Sequence, residues 1–222
     1  MTKNNGQTRP LLLIFDLDGT LVDSRSDLAA GINHMRVHFG LSELTLDVVS
    51  SYIGDGVRSL VERSLQGADV DVDEALLINK AYYRTHLTVH TETYPGVCEG
   101  IRTLSDAGHI LALLTNKPGD ASRSLMKHFE LDGFFTSMIG GGDVENLKPA
   151  PDGVFEILNG SCMDASQAWM IGDHHTDIAV AQNAGINNAY AEYGFGDKHD
   201  LEAQVTFASF DGLVRFFVQL HV

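Results

Sequence analysis

Two aspartates stand two positions apart in Asp16-Leu17-Asp18-Gly19, directly after the apolar run Leu11-Leu12-Leu13-Ile14-Phe15. On a continuing strand such residues share a face, and in a turn both carboxylates can still reach one small volume. Aspartate and glycine also make ordinary turns. Two like charges at the mouth of a buried strand repel one another, however, unless a cation or a shared proton relieves them, so the pattern points to a metal or acid–base site. A second pair, Asp173 and Asp177 in Gly172-Asp173-His174-His175-Thr176-Asp177, is spaced by one helical turn. The dipole of a helix N-terminus favours acids and would account for this second pair taken alone. Thr115-Asn116 and Lys148-Pro149 add a hydroxyl, an amide and an ammonium, each of which in isolation reads as part of a loop.

These residues follow short apolar runs that must position them. Leu11–Phe15 ends at Asp16, Ile110–Leu114 at Thr115-Asn116, Ser137–Ile139 at a glycine run, Ala168–Ile171 at Gly172-Asp173, and Asn188–Ala191 near Glu192-Tyr193-Gly194. Continuous apolar runs of this length read as strands buried on both faces. Between them, residues 97–107, 120–129, 151–159 and 176–184 carry apolar positions at three- and four-residue spacing, as amphipathic helices do. The alternation predicts an α/β fold with a Rossmann-like parallel sheet. Ligands then sit beyond the carboxyl ends of the strands, where Asp16, Asp18, Thr115, Lys148 and Asp173 converge. From about Ser24 to Thr93 the periodicity is helical without a convincing strand, with segments at 28–35, 57–65 and 74–87. The predicted organisation is a polar tail over 1–10, a core over 11–23 and 94–222, and a helical cap, or lid, over 24–93.

Composition narrows the partners. The 222 residues hold 30 acidic and 15 basic side chains, a net charge of −15, with 44% hydrophobic and 20% charged residues. That balance opposes binding to a nucleic-acid backbone, and no apolar run approaches the roughly 20 residues that cross a bilayer. The polar first ten residues do not read as a signal peptide. Cys98 and Cys162 form no paired spacing, which suits a reducing, cytoplasmic compartment. An acidic protein that binds an anionic metabolite needs a local positive site made from a metal, a few bases or helix N-termini.

Phe15-Asp16-Leu17-Asp18-Gly19-Thr20-Leu21-Val22-Asp23 resembles the first motif of the haloacid dehalogenase-like hydrolases. Leu113-Leu114-Thr115-Asn116-Lys117 resembles the second, Lys148-Pro149 the third and Gly172-Asp173-His174-His175-Thr176-Asp177 the fourth, in the expected order. The resemblance spans Leu11 to Leu220. It implies a phosphoric monoester hydrolase in which Asp16 is the nucleophile, forming an aspartyl-phosphate, and Asp18 is the acid and then the base. It further implies Mg²⁺ held by Asp16, Asp173 and the backbone carbonyl of Asp18, with Asp177 in support. The Thr115 hydroxyl, the backbone amide of Asn116 and Lys148 would bind the phosphoryl oxygens. His174 departs from the family pattern, in which a small hydroxyl residue follows the metal-binding aspartate.

Substrate choice falls to the cap. Ile53-Gly54-Asp55-Gly56-Val57-Arg58 and the helix that follows resemble the lid of phosphoglycolate phosphatases, as do Ile139–Pro149 and Tyr193-Gly194. The resemblance makes 2-phosphoglycolate the leading substrate, with Gly54 allowing close backbone approach and Arg58 offered to its carboxylate. An exposed arginine at a helix start is an equally good account of Arg58. Alternatives are a phosphosugar mutase, for which His34 is a weak catalytic candidate; a broad phosphatase of sugar phosphates, nucleotides or pyrophosphate; and a non-catalytic phosphometabolite-binding module. A phosphonate-cleaving relative would need a lid lysine, and Lys80 is the one available. The pairs His34/His38 and His86/His90 have the i, i+4 spacing of zinc ligands but no third ligand. Monomer and homodimer both remain open.

Overall fold

The computed structural model describes residues 10–220, so nearly all of the tail expected over 1–10 lies outside the described residues. The elements run β1 (Leu12–Phe15), β2 (Val22–Asp23), α1 (Arg25–His38), α2 (Leu46–Ser50), α3 (Val57–Ser64), α4 (Val72–Thr85) and β3 (Glu92–Thr93). They continue α5 (Val97–Asp106), β4 (Ile110–Pro118), α6 (Gly119–His128), β5 (Phe135–Gly141), α7 (Asp152–Ser161), β6 (Ala168–Gly172), α8 (His175–Ala184), β7 (Asn187–Ala191), β8 (Val205–Phe207) and α9 (Phe210–Gln219). Six strands form one parallel sheet in the order β5-β4-β1-β6-β7-β8.

Strand alternation divides the apolar residues between two cores. Leu13 and Phe15 of β1, with Leu111 and Leu113 of β4, pack with Ile101, Leu125, Phe210 and Phe217 of α5, α6 and α9. Leu12, Ile14, Ala112 and Leu114 face the other way, onto Val154 and Ile157 of α7 and Val180 and Ala181 of α8. Each leucine, isoleucine, valine or phenylalanine among them contributes about 1.5–3 kcal/mol by leaving water, which fixes the strand register and with it the positions of the strand ends. β1 lies in the centre, paired on both sides: Phe15 stands opposite Leu113 and Ile171, so Asp16 emerges between β4 and the end of β6.

Four elements depart from the sequence reading. β4 continues through Thr115-Asn116-Lys117 to Pro118, with a register irregularity that lets it stay paired to β5. β8 has three residues, too few to show alternation. α9 adds a helix beyond those expected, with Phe210, Leu213 and Phe217 buried at three- and four-residue spacing. Finally, the segment expected to lack strands begins and ends on the two-stranded antiparallel ribbon β2–β3, where Val22 pairs with Thr93 and Asp23 with Glu92. Asp27 of α1 reinforces that closure by accepting from the backbone N–H groups of His90 and Thr91 and from the Thr91 hydroxyl. α1 to α4 therefore form a helical insert whose two chain connections leave the sheet side by side.

Candidate active site

Asp16 sits one residue beyond β1, held by its N–H donating to the Ile171 carbonyl at 2.9 Å. Asp173 follows β6, and Asp177 lies in the first turn of α8. One carboxylate oxygen from each of the three lies within 4.8 Å of the others, and all three residues are buried. Lys148 Nζ enters this cluster, 2.9 Å from Asp16 Oδ1 and 2.6 Å from Asp177 Oδ1. Burial pushes the Asp16 carboxyl up to about 6, with Lys148 opposing and Asp177 adding to the shift. Burial, and then the charges of Asp16 and Asp177, push Asp173 well above the usual carboxylate range. Lys148 is held above its ordinary value by Asp16 and Asp177 although burial opposes its charge.

Three carboxylates around one ammonium leave an excess of negative charge in a buried volume, which is costly unless a cation supplies the balance. Asp16 Oδ1 is also buried without a well-directed hydrogen-bond donor, the neighbouring ammonium notwithstanding. The oxygens of Asp173 and Asp177 are spoken for. Asp173 Oδ2 accepts from the N–H groups of Phe195 and Gly196, Thr20 donates to Asp173 Oδ1, and Asp177 Oδ2 accepts from the His174 N–H. These contacts aim the carboxylates, and the all-oxygen set suits a hard divalent cation. Gly19, at φ +86°, permits the crowding: a Cβ there would lie 1.9 Å from Asp173 Oδ2.

Asp18 stands apart from that cluster. Its carboxylate receives Lys117 Nζ at 3.0 Å on both oxygens and the Ser24 hydroxyl at 2.5 Å. Lys117 Nζ also donates to the Tyr83 hydroxyl of α4 at 2.7 Å. Burial works against the Lys117 charge, but Asp18 and Tyr83 keep its pKa above the ordinary value. Burial pushes the Tyr83 phenol up to about 12, so it stays a neutral hydroxyl. A side chain of the insert is thereby coupled through one lysine to Asp18. Neither Lys117 nor Tyr83 was singled out from the sequence; a lysine inside the Thr115-Asn116-Lys117 motif was the available signal.

A cavity of about 490 Å³ opens between the insert and the strand ends, and Asp16, Asp18, Thr115, Asn116, Asp173 and Gly54 all line it. The Asn116 side-chain amide donates to the carbonyls of Gly54 and Lys148 and accepts from the Lys148 N–H, so it ties the insert loop to the Lys148 turn. Gly54 has φ +123°, and a Cβ there would meet the His174 ring at 2.4 Å, so this position requires glycine for packing as well as for backbone conformation. Burial, with His175 nearby, lowers the His174 pKa to about 4, and the ring remains neutral.

Arg58 corrects the sequence reading. Its side chain is 54% exposed, paired with Glu62 and Asp73, and does not line the cavity. The N-terminus of α3 turns Val57 and Leu60 inward and Arg58 outward. The basic side chains that the insert presents to the cavity are Lys80 and Arg84, one turn apart on α4. Two of the histidines weighed as zinc ligands, His34 and His86, are taken up by stacking. His34 and His86 lie on the Tyr82 ring, at 4.3 and 4.0 Å between centroids.

The model of the haloacid dehalogenase-like hydrolases matches residues 13–191. The phosphoglycolate phosphatase of Pseudomonas putida is 34% identical over 206 residues, covering 89% of this chain and 75% of the relative. That of Psychrobacter arcticus is 32% identical, covering 95% and 96%. Among solved structures, a predicted phosphoglycolate phosphatase from Haemophilus somnus superposes with a TM-score of 0.89 at 27% identity, covering 95% of this chain and 99% of that one.

Proposed function

Because the chain belongs to the haloacid dehalogenase-like hydrolases, we propose that it is a Mg²⁺-dependent phosphatase of small phosphate monoesters, with 2-phosphoglycolate as substrate. The observation that carries the reading is the buried triad of Asp16, Asp173 and Asp177 around Lys148, with Asp18 held separately by Lys117.

Asp16 attacks phosphorus, the bond to the ester oxygen breaks, and Asp18 gives that oxygen its proton, leaving an aspartyl-phosphate. Asp18 then takes a proton from water as the water attacks phosphorus, which releases phosphate and restores Asp16. Asp16, Asp173 and the carbonyl of Asp18 would hold the Mg²⁺, with Asp177 fixing the lysine and the turn after Asp173. The cation would neutralise charge on the transferring oxygens. The Thr115 hydroxyl, the backbone N–H of Asn116 and Lys148 supply the remaining positive and donor groups, since phosphoryl transfer asks mainly for positioning and electrostatic stabilisation.

Residues 24–93 act as the lid in this reading, with the β2–β3 ribbon as hinge, and closure brings Tyr83 to Lys117. The substrate carboxylate faces Lys80 and Arg84 in place of Arg58. His34, on which a mutase reading would depend, is exposed and stacked on Tyr82, away from the cavity. Cys98 and Cys162 are both free and exposed, in keeping with a reducing cytoplasm. Among the described residues no helix is long and apolar enough to cross a membrane.

The test is the specificity constant for 2-phosphoglycolate against sugar phosphates, nucleoside monophosphates and pyrophosphate, in Mg²⁺. A preference of about a hundredfold is the expected result. A flat profile that is still lost in Asp16→Asn would keep the reaction and reject the substrate.

A further inference from the structure

We propose that Asp55, His174 and His175 form a second metal site, suited to a borderline transition-metal ion such as Zn²⁺, which ties the helical insert to the sheet. One carboxylate oxygen of Asp55 and one ring nitrogen from each histidine lie within 4.8 Å of one another. Asp55 belongs to the loop before α3; the histidines sit at the start of α8, so the cluster bridges the two parts of the molecule.

The donor atoms are free to ligate. Arg63 takes Asp55 Oδ2, which leaves Oδ1 facing His175 Nε2 at 3.8 Å, too long for a hydrogen bond. His174 Nδ1 pairs with the Thr176 hydroxyl at 3.1 Å, which leaves Nε2. That Nε2 faces the insert loop, because a Cβ on Gly54 would stand 2.5 Å from it. His175 Nδ1 is buried with no hydrogen-bond partner. The His199 ring stacks on His175 at 4.3 Å between centroids and fixes its plane.

The chemistry separates this cluster from the active site. Asp16, Asp173 and Asp177 offer oxygens alone, which suit Mg²⁺, whereas two imidazoles and one carboxylate match the ligand preference of Zn²⁺, Co²⁺ or Ni²⁺. A Thr176-bonded His174 repeats a common arrangement in which the second ring nitrogen is oriented by a hydrogen bond. Three protein ligands leave a coordination position for water. The pairs His34/His38 and His86/His90, whose spacing lacks a third ligand, take no part in it; this cluster joins Asp55 to two histidines more than a hundred residues further along the chain.

The test is a Co²⁺ titration of the chelator-treated full chain in excess Mg²⁺, followed by visible absorption. Nitrogen-ligated Co²⁺ of low coordination number absorbs strongly, and six-coordinate oxygen-ligated Co²⁺ weakly. The expected result is a strong band that saturates at one equivalent, is erased by Zn²⁺, and requires at least tenfold more Co²⁺ in His175→Gln and in Asp55→Asn. Zn²⁺ should also slow hydrogen exchange of residues 53–56 in the parent and leave His175→Gln unaffected. Far-UV circular dichroism and Mg²⁺-dependent turnover of His175→Gln report that the variant is folded. No strong band in the parent, or an unchanged band in folded His175→Gln, would overturn the site. A band without slowed exchange would overturn the tie between insert and sheet.

Discussion

The floor and the wall of the cavity are built on different physical terms. On the floor, Asp16, Asp173 and Asp177 lie at strand or helix ends, Lys148 enters from the loop between β5 and α7, and all four are buried and hold one another at fixed distances. On the wall, Lys80 and Arg84 project from the exposed face of α4, and Arg58 is spent on surface pairs with Glu62 and Asp73. Buried charges interact strongly and tolerate little change, while exposed pairs of this kind are worth roughly 0–1 kcal/mol. The floor therefore sets the reaction, and the wall adjusts which substrate reaches it.

The largest effect should come from the floor. Asp16→Asn should lower kcat by about a thousandfold or more, measured as phosphate release; a loss of less than tenfold would move the nucleophile elsewhere. Chelation should likewise abolish turnover, with recovery on adding Mg²⁺. It should also expose a pH dependence whose sign follows from the carboxyls. Asp16 and Asp173 have folded-state pKa values above their unfolded ones, so their contribution to stability is present at low pH and lost as pH rises through the folded values, near 6 for Asp16. The Tm of chelated protein should accordingly fall between about pH 4 and 6 from the Asp16 contribution, and Mg²⁺ should remove that fall. An equal slope with and without Mg²⁺ would contradict the charge balance proposed for the floor.

Where wall and floor touch, the effect should be intermediate. Tyr83→Phe removes one of the acceptors of Lys117, whose ammonium also pairs with Asp18, and kcat should fall about tenfold with a displaced pH profile. A profile that does not move would make Tyr83 a packing residue only. On the wall itself, Lys80→Ala and Arg84→Ala should each raise KM for 2-phosphoglycolate by up to about tenfold and leave kcat nearly unchanged. Arg58→Ala should change either constant by less than about twofold. A larger loss at Arg58 than at Lys80 would reverse the assignment of the wall.

The same contrast explains what the sequence made legible. Asp16, Asp18 and Asp173 could be found because they follow short apolar runs whose burial fixes where β1 and β6 end, whereas Thr115 lies within β4 and Lys148, in the loop between β5 and α7, was legible only through the resemblance of its motif. The parallel sheet was legible for the same reason, and β8 escaped because three residues cannot display a period. Lys117, Tyr83 and Asp55 depend on which side of a helix or loop meets a distant segment. Tyr83 and Lys117 are 34 residues apart, and local periodicity carries no information about that meeting. Arg58 shows the reverse error. The glycine-rich approach located the start of α3 correctly, but helical phase placed Val57 and Leu60 inward and the arginine outside.

The most direct measurement is acid quenching of the Mg²⁺-loaded enzyme during turnover of 2-phosphoglycolate, followed by peptide mass spectrometry. A single phosphoryl group on the peptide that contains Asp16, absent in Asp16→Asn, is the result this account predicts. A phosphoryl group on another residue, or turnover that persists in Asp16→Asn, would contradict it.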